Sequence, residues 1–188
     1  MSVITFLCKD GLIDLKSWNA IPISWRKTEY LSMKLDKKDV SILQILQNDA
    51  TVPTATIAER CGLSQSPCWR RISLMETAGV IRGRVAIADR EQLNLGVLVL
   101  VEIKLADNTK SVRPAFKQVA SSHPEILQCF VVMGDADYFL LVATRDIRSY
   151  DQLMRNVLAK VPGIRQVISR IIIDEVKNTH ELPLQFAA

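Results

Sequence analysis

The hydrophobic residues of this chain change their spacing near residue 96, and that change limits the folds available to it. Between Leu35 and Val80 they recur at the interval of an α-helix, interrupted twice by turn residues. From residue 97 onward the pattern alternates between strands and amphipathic helices. The two patterns predict a helical unit followed by an α+β unit, and 188 residues are enough for both.

The first unit is predicted to contain three short helices. One begins after Asp36, whose carboxylate can cap the helix. The second follows Pro53 and ends near Gly62, a residue that suits a tight helix end. The third begins after Ser64, another capping residue type, so the turn between the second and third helices is very short. This order and spacing predict a helix-turn-helix.

The third predicted helix has two chemically different faces. Cys68, Ile72 and Met75 share the apolar face. The opposite face carries polar, basic and aromatic side chains, namely Gln65, Ser66, Trp69, Arg70 and Ser73. Gln, Ser and Arg can hydrogen-bond base edges, Arg and the helix start can bind phosphate, and an exposed Trp needs a partner. We expect this helix to enter the major groove of DNA; a three-helix bundle with a basic surface is the alternative reading.

Residues 80–87 are predicted to form a small hairpin, because two β-branched runs flank Gly83. Arg82 and Arg84 would lie at its tip, as in a wing on a phosphate backbone. Residues 33–88 hold eight Lys and Arg against five Asp and Glu, whereas the whole chain has a net charge of +4. The basic excess is therefore concentrated in the helical unit, although a charge excess alone is weak evidence for nucleic acid.

The second unit has the order βαββαβ. Strands are predicted at 97–105, 126–133, 137–144 and 164–174, with helices at 111–122 and 149–161. Right-handed crossovers make this a ferredoxin-like fold, an antiparallel sheet with two helices on one face. Both faces of the first strand are apolar, so we expect a second copy of the chain to cover the open face.

Composition excludes several other classes of protein. The longest central run without charge is ten residues, Gln92 to Val101, about half of what a membrane-spanning helix needs. Four cysteines and two histidines show neither metal-clip nor redox spacing, and no nucleophile and base form a recognisable pair. We therefore expect no metal, no cofactor, no catalytic residue and no membrane partner, and a protein that is not an enzyme. Without a secretory signal, we expect it in the cytoplasm.

Several short motifs occur along the chain in a specific order and spacing. They are Leu35-Asp36 with Asp39, Ile57-Ala58, Gly62-Leu63-Ser64, Ser66-Pro67-Cys68-Trp69-Arg70-Arg71-Ile72, Glu76 with Gly79-Val80-Ile81, Gly134-Asp135-Ala136-Asp137-Tyr138, Pro162-Gly163 and Glu175-Val176-Lys177. Over roughly residues 33–184, this set of motifs resembles the Lrp/AsnC (feast/famine) family of transcriptional regulators.

The resemblance implies a winged helix-turn-helix joined to a ferredoxin-like domain that dimerises, assembles into tetramers or octamers, and binds an amino-acid effector. The expected domains are an N-terminal extension (1–32), the winged helix-turn-helix with its linker (33–88), and the oligomerisation and effector domain (89–188). The extension has no counterpart in the family pattern. Either translation starts at Met33, or the extension is an ordered arm in which Trp18 or Trp25 packs on the protein.

The expected contacts with double-stranded DNA and with the effector follow from these motifs. For DNA they are Ser64, Gln65, Ser66, Pro67, Trp69, Arg70, Arg71, Ser73, Arg82 and Arg84. For the effector they are Met133, Gly134, Asp135, Asp137, Tyr138, Val167 and Ser169, the last two by resemblance only. Gly134 allows close backbone approach, and either acid could pair with an α-amino group. The alternative is that Gly134-Asp135 is only a hairpin turn.

The sequence thus predicts a sequence-specific DNA-binding transcriptional regulator whose DNA binding or oligomeric state responds to an amino acid. The main alternative is an amino-acid-sensing regulatory subunit of a metabolic enzyme that does not bind DNA. A steep loss of DNA binding with added salt is expected only of the regulator.

Overall fold

The computed structural model describes residues 6–8, 11–13, 33–106 and 112–187. The described residues fall into two compact units. Residues 33–87 and 176–187 form one of them, and residues 6–8, 11–13, 88–106 and 112–175 form the other.

Three helices form the first unit, where the sequence predicted them. They are α1 (Lys37–Asn48), α2 (Thr54–Arg60) and α3 (Gln65–Thr77). Their shared core consists of fully or nearly fully buried side chains: Ile42 and Leu43 from α1, Ile57 and Ala58 from α2, and Cys68, Ile72 and Met75 from α3. Each helix buries one stripe against the other two, so the predicted helix-turn-helix arrangement is confirmed.

The start of α1 is closed by a reciprocal cap. The Asp36 carboxylate accepts hydrogen bonds from the backbone N–H groups of Lys38 and Asp39 at 2.8 and 2.9 Å. In return, the backbone N–H of Asp36 donates to the Asp39 carboxylate at 3.0 Å. Ser64 and Pro53 occupy the equivalent positions before α3 and α2, but neither side chain makes a capping bond. The cap predicted at Asp36 is therefore confirmed, while the start of α3 has no side-chain cap.

The predicted wing hairpin at residues 80–87 is wrong. Residues 82–89 contain no strand in the structure, and Val85 and Ile87 are 83% and 77% exposed. Two arms of three or four residues supply few hydrogen bonds, and an isolated hairpin is marginal in water even when longer. The segment is an irregular connection that leads from α3 towards the second unit.

The last residues of the chain belong to the helical unit. The sequence placed all of 89–188 in the C-terminal domain, whereas the structure groups 176–187 with α1–α3. The physical reason is that Leu184, in the 3₁₀ turn Leu184–Phe186, packs against the core of the three helices.

The second unit has the predicted ferredoxin-like topology. Its elements are β3 (Val97–Leu105), α4 (Val112–Ser122), β4 (Ile126–Val131), β5 (Tyr138–Thr144), α5 (Ile147–Asn156) and β6 (Ile164–Ile171). All pairings are antiparallel, in the order β4-β5-β3-β6. The helix predicted at 149–161 instead begins after Asp146, which caps it, and a separate 3₁₀ turn, Leu158–Lys160, follows.

Both helices pack on one face of this sheet. The core contains Val99, Val101 and Ile103 of β3 together with Phe116 of α4 and Leu153 of α5. Successive side chains of a strand point to opposite faces, so Leu100, Glu102 and Lys104 lie on the face without helices.

The face without helices is strongly apolar. Across the sheet, Leu100 pairs with Leu141, and Glu102 pairs with Phe139 and with Ile168. Phe130 pairs with Phe139 and is 53% exposed. This surface, consisting of Leu100, Phe130, Phe139, Leu141 and Ile168, is called the open sheet face below.

The N-terminal extension contains one described feature, a short hairpin of β1 (Phe6–Cys8) and β2 (Gly11–Ile13). The sequence did not predict it. Trp18 and Trp25, on which the alternative of an ordered arm depended, lie outside the described residues.

Candidate nucleic-acid interface

Helix α3 presents a chemically mixed surface to solvent. Its inner residues Cys68 and Met75 have no exposed area, whereas Trp69, next to Cys68 in sequence, is 62% exposed. Gln65, Ser66 and Arg70 are also exposed. A large aromatic side chain held in water by a rigid helix is energetically unfavourable unless a partner covers it. The structure thus brings together on one face the residues predicted to read DNA.

The start of α3 adds a site for an anion. The backbone N–H groups of the first helical turn have no acceptor within the helix, and the Ser64 side chain does not cap them. A shallow cleft of about 410 Å³ opens beside this turn and is lined by Thr54, Gln65, Ser66 and Trp69. Helix N-termini favour phosphate, and this cleft lies next to the side chains that are predicted to read bases.

Arg71, predicted to bind DNA, is partly exposed and makes two bonds within the helical unit. Its Nη1 donates to Asp36 Oδ2 and to Asp39 Oδ1, both at 2.8 Å. These bonds raise the pKa of Arg71. The pKa of Asp36 is lowered, first by the hydrogen bond from the Asp39 backbone and then by Arg71. Arg71 therefore joins α3 to α1 through Nη1, and a contact of its other N–H groups with phosphate stays a prediction.

The two arginines of the predicted wing differ in their surroundings. Arg82 is exposed, whereas Arg84 Nη2 lies 3.1 Å from Glu76 Oε1. Both members of the Arg84–Glu76 pair are nearly half exposed, at 47% and 45%. Ion pairs of that kind are worth at most about 1 kcal/mol, so a phosphate can displace Glu76. Contact of Arg82 and Arg84 with DNA stays a prediction.

Asp137, the second acid of the predicted effector loop, is bonded within the sheet domain. Asp137 is 7% exposed, and its Oδ2 accepts a hydrogen bond from the backbone N–H of Leu105 at 2.9 Å. Arg113 Nη2 lies 3.7 Å from its other oxygen. Asp137 thus ties β5 to β3, and its carboxylate is already occupied. The prediction that Asp137 contacts an effector is not supported by this geometry.

Three other predicted effector residues also face the helices. Tyr138 is 1% exposed, and its ring packs on Phe116 with 4.4 Å between centroids. Burial raises the pKa of Tyr138, and its hydroxyl has no hydrogen-bond partner among the described residues. Val167 packs against the same core, and the Ser169 hydroxyl bonds to Tyr150. These side chains make contacts within the sheet domain, whereas Met133 and Asp135 of the loop are exposed.

Asp135 borders a small cavity on the opposite side of the sheet. The cavity is about 80 Å³ in volume and is lined by Glu102, Ile103, Lys104, Asp135, Ala136, Gln166 and Ile168. Asp135 makes no hydrogen bond or ion pair with the described residues, whereas Glu102 is paired with Arg170 at 2.8 Å. Glu102, Lys104 and Gln166 were not among the site residues predicted from the sequence. Their alternation along β3 and β6 is the signal that could have placed them together.

Other kinds of site are not apparent in the part of the chain that the structure describes. Its residues contain no group of three His, Cys, Asp or Glu side chains positioned to hold a metal ion. Among the same residues, no helix combines the length and hydropathy needed to cross a membrane.

Two family models match the chain, one on each part. Residues 35–82 match a winged helix-turn-helix DNA-binding model, and residues 98–182 match the Lrp/AsnC ligand binding domain. The first match covers α1–α3, and the second begins in β3 and extends past β6. The three helices and the sheet domain described above agree with these models, although residues 82–89 form no wing hairpin in the structure.

Proteins similar over most of the chain are transcriptional regulators. The glutamate uptake regulatory protein of Zymomonas mobilis is 36% identical over 80% of this chain and 92% of its own length. The DNA-binding transcriptional activator DecR of Escherichia coli is 32% identical, over 80% of this chain and 99% of its own. None of this supports the alternative of a metabolic subunit that does not bind DNA.

Solved structures agree with this family in both sequence and fold. An AsnC family regulator from Agrobacterium tumefaciens is 41% identical, with a TM-score of 0.78, over 82% of this chain and 100% of that one. A transcriptional regulator of Neisseria meningitidis in complex with L-Met is 33% identical, with a TM-score of 0.77, over 80% of this chain and 97% of that one. The chain therefore belongs to the Lrp/AsnC family of transcriptional regulators.

Proposed function

We propose that this regulator binds double-stranded DNA with α3 in the major groove. The observation that carries the proposal is the exposed face of α3, where Trp69 and Arg70 lie opposite a fully buried face. Gln65, Ser66 and Arg70 supply donors and acceptors for base edges, and the Trp69 ring can pack on sugar or on a thymine methyl group. Arg82 and Arg84 then contact phosphate, which positions the helix without adding sequence information.

The experiment is a binding titration on a duplex selected from a random library by the wild-type protein. Fluorescence anisotropy at several salt concentrations gives the slope of log affinity against log salt. We expect a steep negative slope, about one unit for each phosphate contact. A slope near zero, or equal affinity for selected and random duplexes, would contradict sequence-specific binding.

We infer that two copies of the chain meet through the open sheet face and that the dimers assemble further into tetramers or octamers. Leu100, Phe139 and Leu141 form a continuous apolar surface there, and burying it against a second copy removes it from water. The expected result of Leu100→Lys is a smaller assembly in light scattering. Ile147→Lys, on a half-exposed residue of α5, is the matched control and should leave the mass unchanged.

The proposed effector of the sheet domain is an amino acid. Support comes from the ligand-binding description of the family model and from the relative solved with L-Met. Of the two acids in the loop, Asp135 is the one whose carboxylate has no partner among the described residues. It borders the cavity beside Glu102 and Gln166. An α-amino group can pair with Asp135 while the exposed Met133 contacts an apolar side chain.

A thermal-shift screen of the twenty amino acids tests the effector proposal, since a ligand that binds the folded state raises the melting temperature. Asp135→Asn should abolish the shift produced by the best ligand, with little change in the melting temperature of the free protein. A shift retained in full would remove Asp135 from the site. The proposed binding of DNA and effector requires no metal, cofactor or catalytic residue. Excess chelator should therefore leave the DNA affinity unchanged.

A further inference from the structure

The chain returns to the helical unit after its last strand. β6 ends at Ile171, residues 172–183 have neither helix nor strand, and the 3₁₀ turn Leu184–Phe186 follows. The described residues from Val176 onward belong to the same compact unit as α1–α3. The DNA-binding helices are thus connected to the sheet unit by two chain segments, residues 82–87 and residues 176–181.

A glutamine of α1 binds the returning chain by its main-chain atoms. Gln47 Oε1 accepts a hydrogen bond from the backbone N–H of Leu182 at 2.8 Å. Gln47 Nε2 donates to the carbonyl oxygen of the same residue at 3.3 Å. A side-chain amide facing a backbone amide satisfies one donor and one acceptor at once, so it fixes the position of the segment along the helix.

One apolar side chain completes the attachment. Leu184 packs against the core of the three helices, whereas Phe186, two residues on, is 81% exposed. Together, Gln47, Leu182 and Leu184 form what is called the C-terminal clip below. Neither a pair of hydrogen bonds nor one leucine is strong alone, but the two act on neighbouring residues of the same segment.

The clip is attached to the helix that holds α3. Arg71 of α3 is bonded to Asp36 and Asp39 at the start of α1, and Gln47 lies near the end of the same helix. A restraint on α1 therefore also restrains the helix that carries Trp69 and Arg70. From Leu182 to α3, the contacts lie within a single compact unit.

Both connecting segments are short. Each segment has six residues and spans at most about 22 Å when fully extended. Removing the clip leaves only one of the two connections, so each helical unit can reach more positions. For two units that must bind one duplex together, a wider range lowers the effective concentration of the second unit.

We propose that the C-terminal clip restrains the helical unit so that paired copies bind two half-sites of one duplex as a unit. This inference rests on the proposed DNA binding of paired copies. Specifically, the clip determines how much more tightly paired copies bind a duplex with two half-sites than a duplex with one. It does not change the contact of a single α3 with its half-site.

Two variants break the clip, and each has a matched control. Gln47→Ala removes both hydrogen bonds, whereas Gln44→Ala changes an exposed glutamine on the same helix. Leu184→Ala removes the apolar contact, whereas Phe186→Ala shortens an exposed side chain of the same turn. All four are made in the full chain, and circular dichroism confirms that each variant folds.

The measured quantity is the ratio of affinities for two duplexes, one selected by the wild-type protein and one in which a single half-site is scrambled. Gln47→Ala and Leu184→Ala should lower this ratio by about threefold or more, and the two controls should not. An unchanged ratio overturns the inference, and so does an equal loss of affinity for both duplexes, which would show a purely structural role. If the wild-type protein does not distinguish the selected duplex from random DNA, the proposed function fails and the inference fails with it.

Discussion

Arg71 of α3 and Asp39 of α1 are joined by a hydrogen bond of 2.8 Å from Nη1 to Oδ1, in which the Asp39 side chain is only 3% exposed. Arg71 is therefore the residue that fixes the recognition helix on α1, although it directly follows Arg70, which faces solvent. Two adjacent arginines thus have different surroundings, one bonded to α1 and one facing solvent on the surface that is proposed to contact DNA.

Replacing Arg71 by Ala should lower the stability of the helical unit. The change leaves the buried Asp39 carboxylate without its charged partner, and we expect a loss of about 2 kcal/mol, reduced from the value for a fully buried pair because Arg71 is partly exposed. Urea unfolding followed by circular dichroism measures it. Arg148→Ala, on an exposed arginine of α5, is the control. Equal stability of the two variants would show that the Arg71 bonds contribute nothing.

The two acids of the loop before β5 should respond differently to substitution. Asp137→Ala leaves the backbone N–H of Leu105 without its acceptor in a buried environment, so we expect a loss of about 1–3 kcal/mol. Asp135→Ala changes an exposed side chain and should alter stability by less than about 0.5 kcal/mol. Chemical denaturation of both variants makes the comparison. The opposite order would assign the structural role to Asp135.

The cap of α5 should make stability depend on pH in acid. A hydrogen bond of 2.7 Å from the backbone N–H of Ser149, helped by its hydroxyl, lowers the pKa of Asp146 from 3.8 to about 2. Because the folded state favours the carboxylate, its stabilisation is complete above about pH 5 and is lost as the pH falls through 3.8 towards 2.

Asp146→Asn keeps a capping oxygen but removes that charge. Its melting temperature should be lower than that of the wild-type protein at pH 7, and the difference should shrink as the pH falls from 5 to 3. Asp135→Asn serves as the control for a general loss of negative charge. A difference that stays constant over this range would contradict the low pKa of Asp146.

Gly163 is expected not to tolerate a side chain. Its φ of +85° is rarely adopted by other residues, and an added Cβ would lie 2.9 Å from both γ-carbons of Val112. We expect Gly163→Ala to destabilise the sheet domain by about 2 kcal/mol from backbone strain and crowding. Gly96→Ala, where an added Cβ has open space, is the matched control. Thermal unfolding of the two variants should separate them clearly.

The helices and the sheet could be predicted because their signals are local. The cap at Asp36 and the apolar stripe of α3 are set by neighbouring residues, and the alternation along β3 requires only the pleat of a strand. The order βαββαβ then leaves few topologies. The prediction of a hairpin at 80–87 was wrong because a strand also depends on non-local contacts. β-branched residues form a strand only where a stable partner strand is available.

The partners of individual side chains could not be predicted in the same way. Arg71 has the same local pattern as Arg70, and only the packing of α3 on α1 brings it to Asp36 and Asp39. Asp137 meets Leu105 across a separation of 32 residues, and Gln47 meets Leu182 across 135. Contacts this distant in sequence are set by the three-dimensional arrangement and leave no periodic signal.

The central claim is that the exposed face of α3 reads DNA, and the most direct measurement is the affinity of Arg70→Ala for the selected and random duplexes. We predict a loss of about tenfold on the selected duplex and a much smaller loss on random DNA, since a base contact contributes about 1–3 kcal/mol of discrimination. Arg148→Ala should bind both duplexes like the wild-type protein. Equal losses of Arg70→Ala on both duplexes, or no loss on either, would contradict the account.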